Sequence, residues 1–281
     1  MPSVLAAQLY TLRDFTRTPN DIATTMKKVK RMGYDAVQCS ALGPIEPKEL
    51  AKILRDEGLT CCATHVPYEK MRDQPEVVIE EHHIIGCAYA AIGVCPGSYR
   101  NGPGYHAFAR EASEVARKLR AGGVTFGYHN HSFELEKFGG KTGLEILYAE
   151  SDPQAFTAEI DTYWIQHGGG DPATWIRTLK GRVPLVHLKD MVVGEDRWSA
   201  ERVVKATGES DESFAKRREE ALSAKPIMAE VGEGNLNWRE ILAACREAGV
   251  VWYIVEQDIC QRDPFESLSI SLGNLKAMGM E

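Results

Sequence analysis

Eight short apolar runs, rich in Val, Ile, Ala and aromatic residues, alternate along the chain with longer amphipathic stretches. They occupy residues 4–9, 35–40, 59–65, 89–95, 124–131, 156–161, 183–190 and 251–257. Successive runs start 24–35 residues apart, except the last, which follows after 68. About 30 residues is the length of a strand plus a helix that returns over the sheet, so the rhythm predicts parallel strands joined by helical crossovers. The stretches between agree. Residues 21–32 carry apolar side chains at 22, 26 and 29, a cationic end and then Gly33. Residues 47–57, 105–121 and 236–248 repeat the pattern before Gly58, Gly122 and Gly249.

Eight such units predict a single (β/α)8 TIM barrel, an α/β fold, over residues 1–281 as one domain. A doubly wound open sheet shares the periodicity, but no Gly-rich dinucleotide loop follows the first run, where the sequence reads VLAAQLYTLRDF. The long last interval contains a charged excursion at about 194–225, expected to be partly helical with a solvated face.

Composition narrows the chemistry. A net charge of −7 argues against a protein built to grip phosphate backbones. No apolar run approaches the roughly 20 residues of a membrane span, and the N-terminus does not read as a signal peptide. The seven cysteines form no CxxC pair and are expected as reduced thiols of a cytoplasmic protein. HExxH, GxSxG and the phosphate loop are absent.

A barrel gathers its functional residues at the C-terminal ends of its strands. The third run ends in His65, and the fifth in GYHNHSFELE with His129, His131 and Glu134. The sixth holds Glu159 and Asp161, the seventh His187, Lys189 and Asp190, and the eighth Glu256 and Asp258. Four consecutive strands thus close on His or carboxylate side chains, an N and O donor mix suited to Mn²⁺, Mg²⁺, Co²⁺ or Zn²⁺. A carboxylate such as Glu256, behind the apolar YIV, is costly to bury without a cation. His129 and His131 share strand parity and face one side. Asp161 can instead cap a following helix, although Asp171-Pro172 is the better helix start. Glu159 is expected deeper in the barrel. The turn at Gly232–Gly234 offers bare amides to a hydroxyl or phosphate, or none at all. Trp164 can wall a sugar pocket.

These strand ends resemble the xylose isomerase-like superfamily of TIM barrels, the sugar phosphate isomerases/epimerases, across essentially the whole chain. The residues that carry the resemblance are Tyr128 to Glu134, Asp161 to Trp164, His187 to Asp190, Val231 to Gly234 with Asn237-Trp238, and Val255 to Asp258. The resemblance implies a divalent metal held by a fifth-strand acid with Asp161, His187 and Glu256. The first place falls either to Glu134, folded back from beyond the strand, or to His129, and Glu134 is preferred. His131, Glu134 and Glu256 are then expected in catalysis, and His65, His129, Trp164, Lys189 and Glu233 in contact with substrate. The implied reaction is isomerisation or epimerisation of a small sugar, keto-sugar or polyol through an enediolate formed by removing a proton alpha to a carbonyl. A lyase or dehydratase acting on a keto-inositol or 3-keto-sugar starts from the same enediolate. A DNA-repair endonuclease of the superfamily is disfavoured by the acidic balance, and a non-catalytic sugar-binding protein would lack a complete metal set. Neither nucleic acid nor membrane is expected as a partner, and assembly into a homo-oligomer is left open.

Overall fold

The computed structural model describes residues 4–193, 205, 208–222 and 227–280. Its eight main strands are β1 (Val4–Gln8), β2 (Ala36–Cys39), β3 (Thr60–His65), β4 (Tyr89–Ile92), β5 (Thr125–His129), β6 (Phe156–Asp161), β7 (Leu185–Leu188) and β8 (Trp252–Val255). Each lies within one of the eight apolar runs. They form a closed parallel barrel in chain order, sealed where β1 pairs with β8 in the register Val4 to Trp252. The (β/α)8 expectation is met and the open-sheet rival is excluded, because no barrel strand is left as an edge.

Helices return the chain between strands where the amphipathic pattern places them. Pro47–Glu57 coincides with its expected range, while Pro19–Met32 and Gly102–Ala121 begin a few residues early. The Pro19 helix starts in a capping box between Thr18 and Asp21, which satisfies otherwise orphaned N–H groups. Gly33 closes it at φ 103°, a conformation that an L side chain rarely adopts.

Strand alternation sorts the barrel into layers. Ala6, Ala36, Cys62, Leu185 and Ile254 fill an apolar floor inside it. Two residues further along the same faces come Gln8, Gln38, His187 and Glu256, all buried. The alternate positions, such as Phe126, Tyr128, Ile160, Val186 and Tyr253, belong to the large core cluster packed under the helices. A polar layer therefore sits on an apolar plug at the end of the barrel where the strands finish.

Half of the expected excursion at 194–225 falls outside the described residues. Within it a helix runs over Asp211–Leu222. Asp190–Val192 and Ile227–Ala229, which flank the excursion, pair antiparallel. None of the seven cysteines is in a disulfide. No helix among the described residues is long and apolar enough to cross a membrane.

Candidate active site

His129, Asp161, His187 and Glu256 end β5, β6, β7 and β8, and their donor atoms all lie within 4.8 Å of one another. All four are buried. Asp161 Oδ2 is 3.2 Å from His129 Nε2 and 3.9 Å from His187 Nδ1. Glu256 Oε2 lies 2.8 Å from His187 Nδ1.

This donor set fits a divalent cation on its own geometry. His129 Nδ1 donates to the Gly93 carbonyl at 3.0 Å, the only role it can take against a carbonyl oxygen. In the neutral ring Nε2 then carries the lone pair, aimed at the Asp161 carboxylate. Two acceptors facing each other are satisfied by a cation held between them. Burial, and next the positive charge of His187, push the His129 pKa down and favour that neutral ring.

The sequence weighed Asp161 as a helix cap against Asp161 as a ligand, and one carboxylate takes both positions. Its Oδ1 accepts from Trp164 N at 2.9 Å, starting the helix Thr162–His167, while Oδ2 faces the cluster. Asp171 caps the next helix through Thr174 N.

Lys189 is wholly buried, with Nζ 2.9 Å from Asp161 Oδ2, 2.7 Å from Glu256 Oε2 and 3.2 Å from Asp258 Oδ2. Burial opposes its charge, but Asp161, Glu256 and Asp258 outweigh that and hold its pKa well above the usual lysine value. An ammonium thus stands among the same carboxylates that a metal would share.

A cavity of about 1340 Å³ opens above this floor, and His65, His129, His131, Trp164, Lys189 and Glu256 all line it. His131 lies past the end of β5, its ring 5.0 Å from that of His129, 5.0 Å from Trp164 and stacked at 10° on Phe133. Among the described residues its buried Nδ1 has no hydrogen-bond partner, nor has Trp164 Nε1. Burial above all, with the Lys189 ammonium nearby, pushes the His131 pKa down to about 3. His65 sits against Gly93, where a Cβ would come 3.0 Å from its Nδ1 and press on the ring.

Two expected residues stand elsewhere. Tyr128 alternates with His129 and packs outward against Phe108 and Phe156. Its hydroxyl donates to Glu134 Oε1 at 2.8 Å, while His131 N donates to Oε2 at 2.9 Å. Glu134 is therefore tied beneath the loop after β5, and the structure puts His129 in the cluster instead. Burial lifts the Glu134 pKa to about 7. Glu233 pairs with Arg262 at 2.8 Å and is absent from the cavity lining. The bare amides of its turn are already taken, since Asp190 Oδ2 accepts from Gly232 N at 2.9 Å and Gly234 N at 3.0 Å. A Cβ at Gly234 would fall 2.2 Å from Asp190 Oδ1, so this turn closes on the protein's own carboxylate.

Gln8 and Gln38 join the site although sequence reasoning passed over them. The signal was available: each is an amide at an inward position of an apolar strand, VLAAQ and AVQC.

Residues 26–268 match the family of xylose isomerase-like TIM barrels, and the chain belongs to that family. No match was found among curated protein sequences. Among solved structures, a sugar phosphate isomerase/epimerase from Parabacteroides distasonis is similar at TM-score 0.74 and 20% identity, over 99% of this chain and 94% of that one. A D-allulose 3-epimerase from Methylomonas sp. aligns at TM-score 0.64 and 12% identity, over 99% of both chains. A probable 3-DHS dehydratase from Bacillus anthracis aligns at TM-score 0.66 and 12% identity, over 98% of this chain and 99% of that one. At these identities the likeness establishes the shared fold.

Proposed function

We propose that this protein is a metal-dependent isomerase or epimerase of a small sugar, keto-sugar or polyol. The observation that carries the reading is the convergence of His129, Asp161, His187 and Glu256 at the base of the cavity, with the His131 ring lining it beside them. The two nitrogen and two carboxylate donors suit Mn²⁺, Mg²⁺, Co²⁺ or Zn²⁺. A divalent ion held there supplies Lewis acidity toward sugar oxygens, which acidifies the C–H next to a carbonyl.

The chain's own groups do the rest. His131 lines the cavity beside His129 and is the ring this reading assigns to taking the proton. Lys189 Nζ, already poised between Asp161 and Glu256, steadies negative charge growing on the substrate's oxygens. His65 and Trp164 wall the sugar, and burial of the floor keeps bulk water from quenching the enediolate. Return of the proton to the opposite face gives the epimer, and return to the adjacent carbon gives the isomer. The parallel with allulose 3-epimerase and sugar phosphate isomerase/epimerase structures supports the substrate class.

The size of the cavity favours a second reading. Its 1340 Å³ exceeds the roughly 300–1,000 Å³ of common small-molecule sites, and Leu42, Ile45, Val66 and Val94 add apolar wall. That room suits a keto-sugar carrying a leaving group, which the same enediolate would expel in a lyase reaction.

The test is Mn²⁺-loaded protein incubated with a panel of keto-sugars in D₂O and followed by NMR. Exchange of the alpha proton with appearance of an epimer or isomer supports the first reading, and an eliminated product supports the second. Retention of every alpha proton by protein that holds its metal would refute both.

A further inference from the structure

Below the four donors lies a carboxylate that the mechanism does not use. Glu159 is wholly buried, two residues before Asp161 on β6 and one layer deeper in the barrel. Oε1 is 2.6 Å from Gln38 Nε2 and 3.3 Å from His187 Nε2, and Oε2 is 2.7 Å from His65 Nε2.

The donors in this network can be assigned in one way. An ionised carboxylate only accepts, so Gln38 must turn its NH₂ toward Glu159. The Gln38 carbonyl oxygen then faces the other way, 2.6 Å from Gln8 Nε2 and 2.6 Å from His187 Nε2. The far end is pinned too, because Gln8 Oε1 accepts from Tyr10 N at 3.2 Å. With an acceptor opposite it, His187 Nε2 must carry a proton. Nδ1, on the other side of the ring, faces Glu256 and Asp161, and a proton there is the one that a metal would displace.

We propose that Glu159 is a positioning residue that, through Gln38, keeps the proton of His187 on Nε2 and so presents Nδ1 to the metal. With its other oxygen it fixes His65, whose Nδ1 is then left to accept from Ser40 Oγ at 3.2 Å. Carboxylates that orient ligand histidines in this way strengthen metal binding by about 10–100-fold. The inference rests on the four-donor reading of the site, and its test separates the two.

Mn²⁺ affinity is measured by calorimetry for wild type, Glu159→Gln and Gln38→Met. The His187 Nε2–H resonance is followed by ¹H–¹⁵N NMR in metal-free and Zn²⁺-loaded protein. The expected result is a folded Glu159→Gln protein that binds Mn²⁺ about 10–100-fold more weakly and loses the slowly exchanging Nε2–H signal. If Glu159→Gln fails to fold, Gln38→Met, which removes the 2.6 Å acceptor without altering charge and leaves only the 3.3 Å contact of Glu159 Oε1 with His187 Nε2, is expected to weaken Mn²⁺ binding and speed exchange of the Nε2–H signal. Folded variants that bind Mn²⁺ as tightly as wild type overturn the proposal, as does an unchanged Nε2–H signal. Wild type that binds no Mn²⁺ overturns the four-donor reading instead, and the metal-free NMR comparison still decides whether Glu159 holds the His187 proton.

Discussion

Lys189 Nζ lies 2.7 Å from Glu256 Oε2, the same oxygen that receives His187 Nδ1 at 2.8 Å. The ammonium neutralises the carboxylates of the proposed metal site and would repel an incoming dication. Lys189→Met removes both effects. Metal-free protein is expected to lose about 3–5 kcal/mol, the usual cost of stranding a buried charge. Metal affinity is expected to rise, on the order of tenfold, as a nearby positive charge is removed. Thermal melts with and without Mn²⁺ check both. A variant equally stable in both conditions would mean that Lys189 is not the internal counter-charge.

His131 bonds to the fold through its backbone N–H, which alanine keeps, while its ring nitrogen Nδ1 has no partner among the described residues. His131→Ala is therefore expected to cost only about 1 kcal/mol of stability. Loss of the base should slow alpha-proton exchange by about 10²–10⁴-fold. Chemical denaturation and exchange in D₂O measure the two separately. A variant that unfolds easily but keeps its activity per folded molecule would move the base elsewhere.

Glu134 makes a pH prediction. Burial raises its folded pKa to about 7 from an ordinary value of 4.5. Between those values the folded state holds a proton that the unfolded state has lost, so stability falls as pH rises from about 4.5 to 7. The shift corresponds to on the order of 3 kcal/mol. Glu134→Gln keeps an oxygen for the Tyr128 hydroxyl or His131 N–H and should remove that slope. Urea unfolding across this pH range checks it, and an identical slope in the variant would assign the effect to another group.

The barrel was legible because a strand buried on both sides shows as a continuous apolar run and several of the helices end at a glycine. Asp161, His187 and Glu256 were legible because a charged group at the end of such a run demands a partner. The fifth-strand carboxylate expected as a donor stands apart from the cluster for a physical reason. Glu134 carries the expected chemistry, but alternation turns Tyr128 outward, and its hydroxyl together with His131 N captures the carboxylate. Glu233 lay in a promising turn, yet Asp190, 42 residues earlier than Gly232, fills the amides that gave the turn its promise. Gln38 reaches His187 across 149 positions, a contact that follows from barrel closure and that no local pattern reveals.

The most direct test of the central claim is anomalous diffraction at the manganese edge from crystals grown with Mn²⁺. The account predicts one strong peak bounded by His129, Asp161, His187 and Glu256, with ligand distances of roughly 2.0–2.3 Å. A peak at Glu134 in place of His129, or no peak among these four side chains, would contradict it.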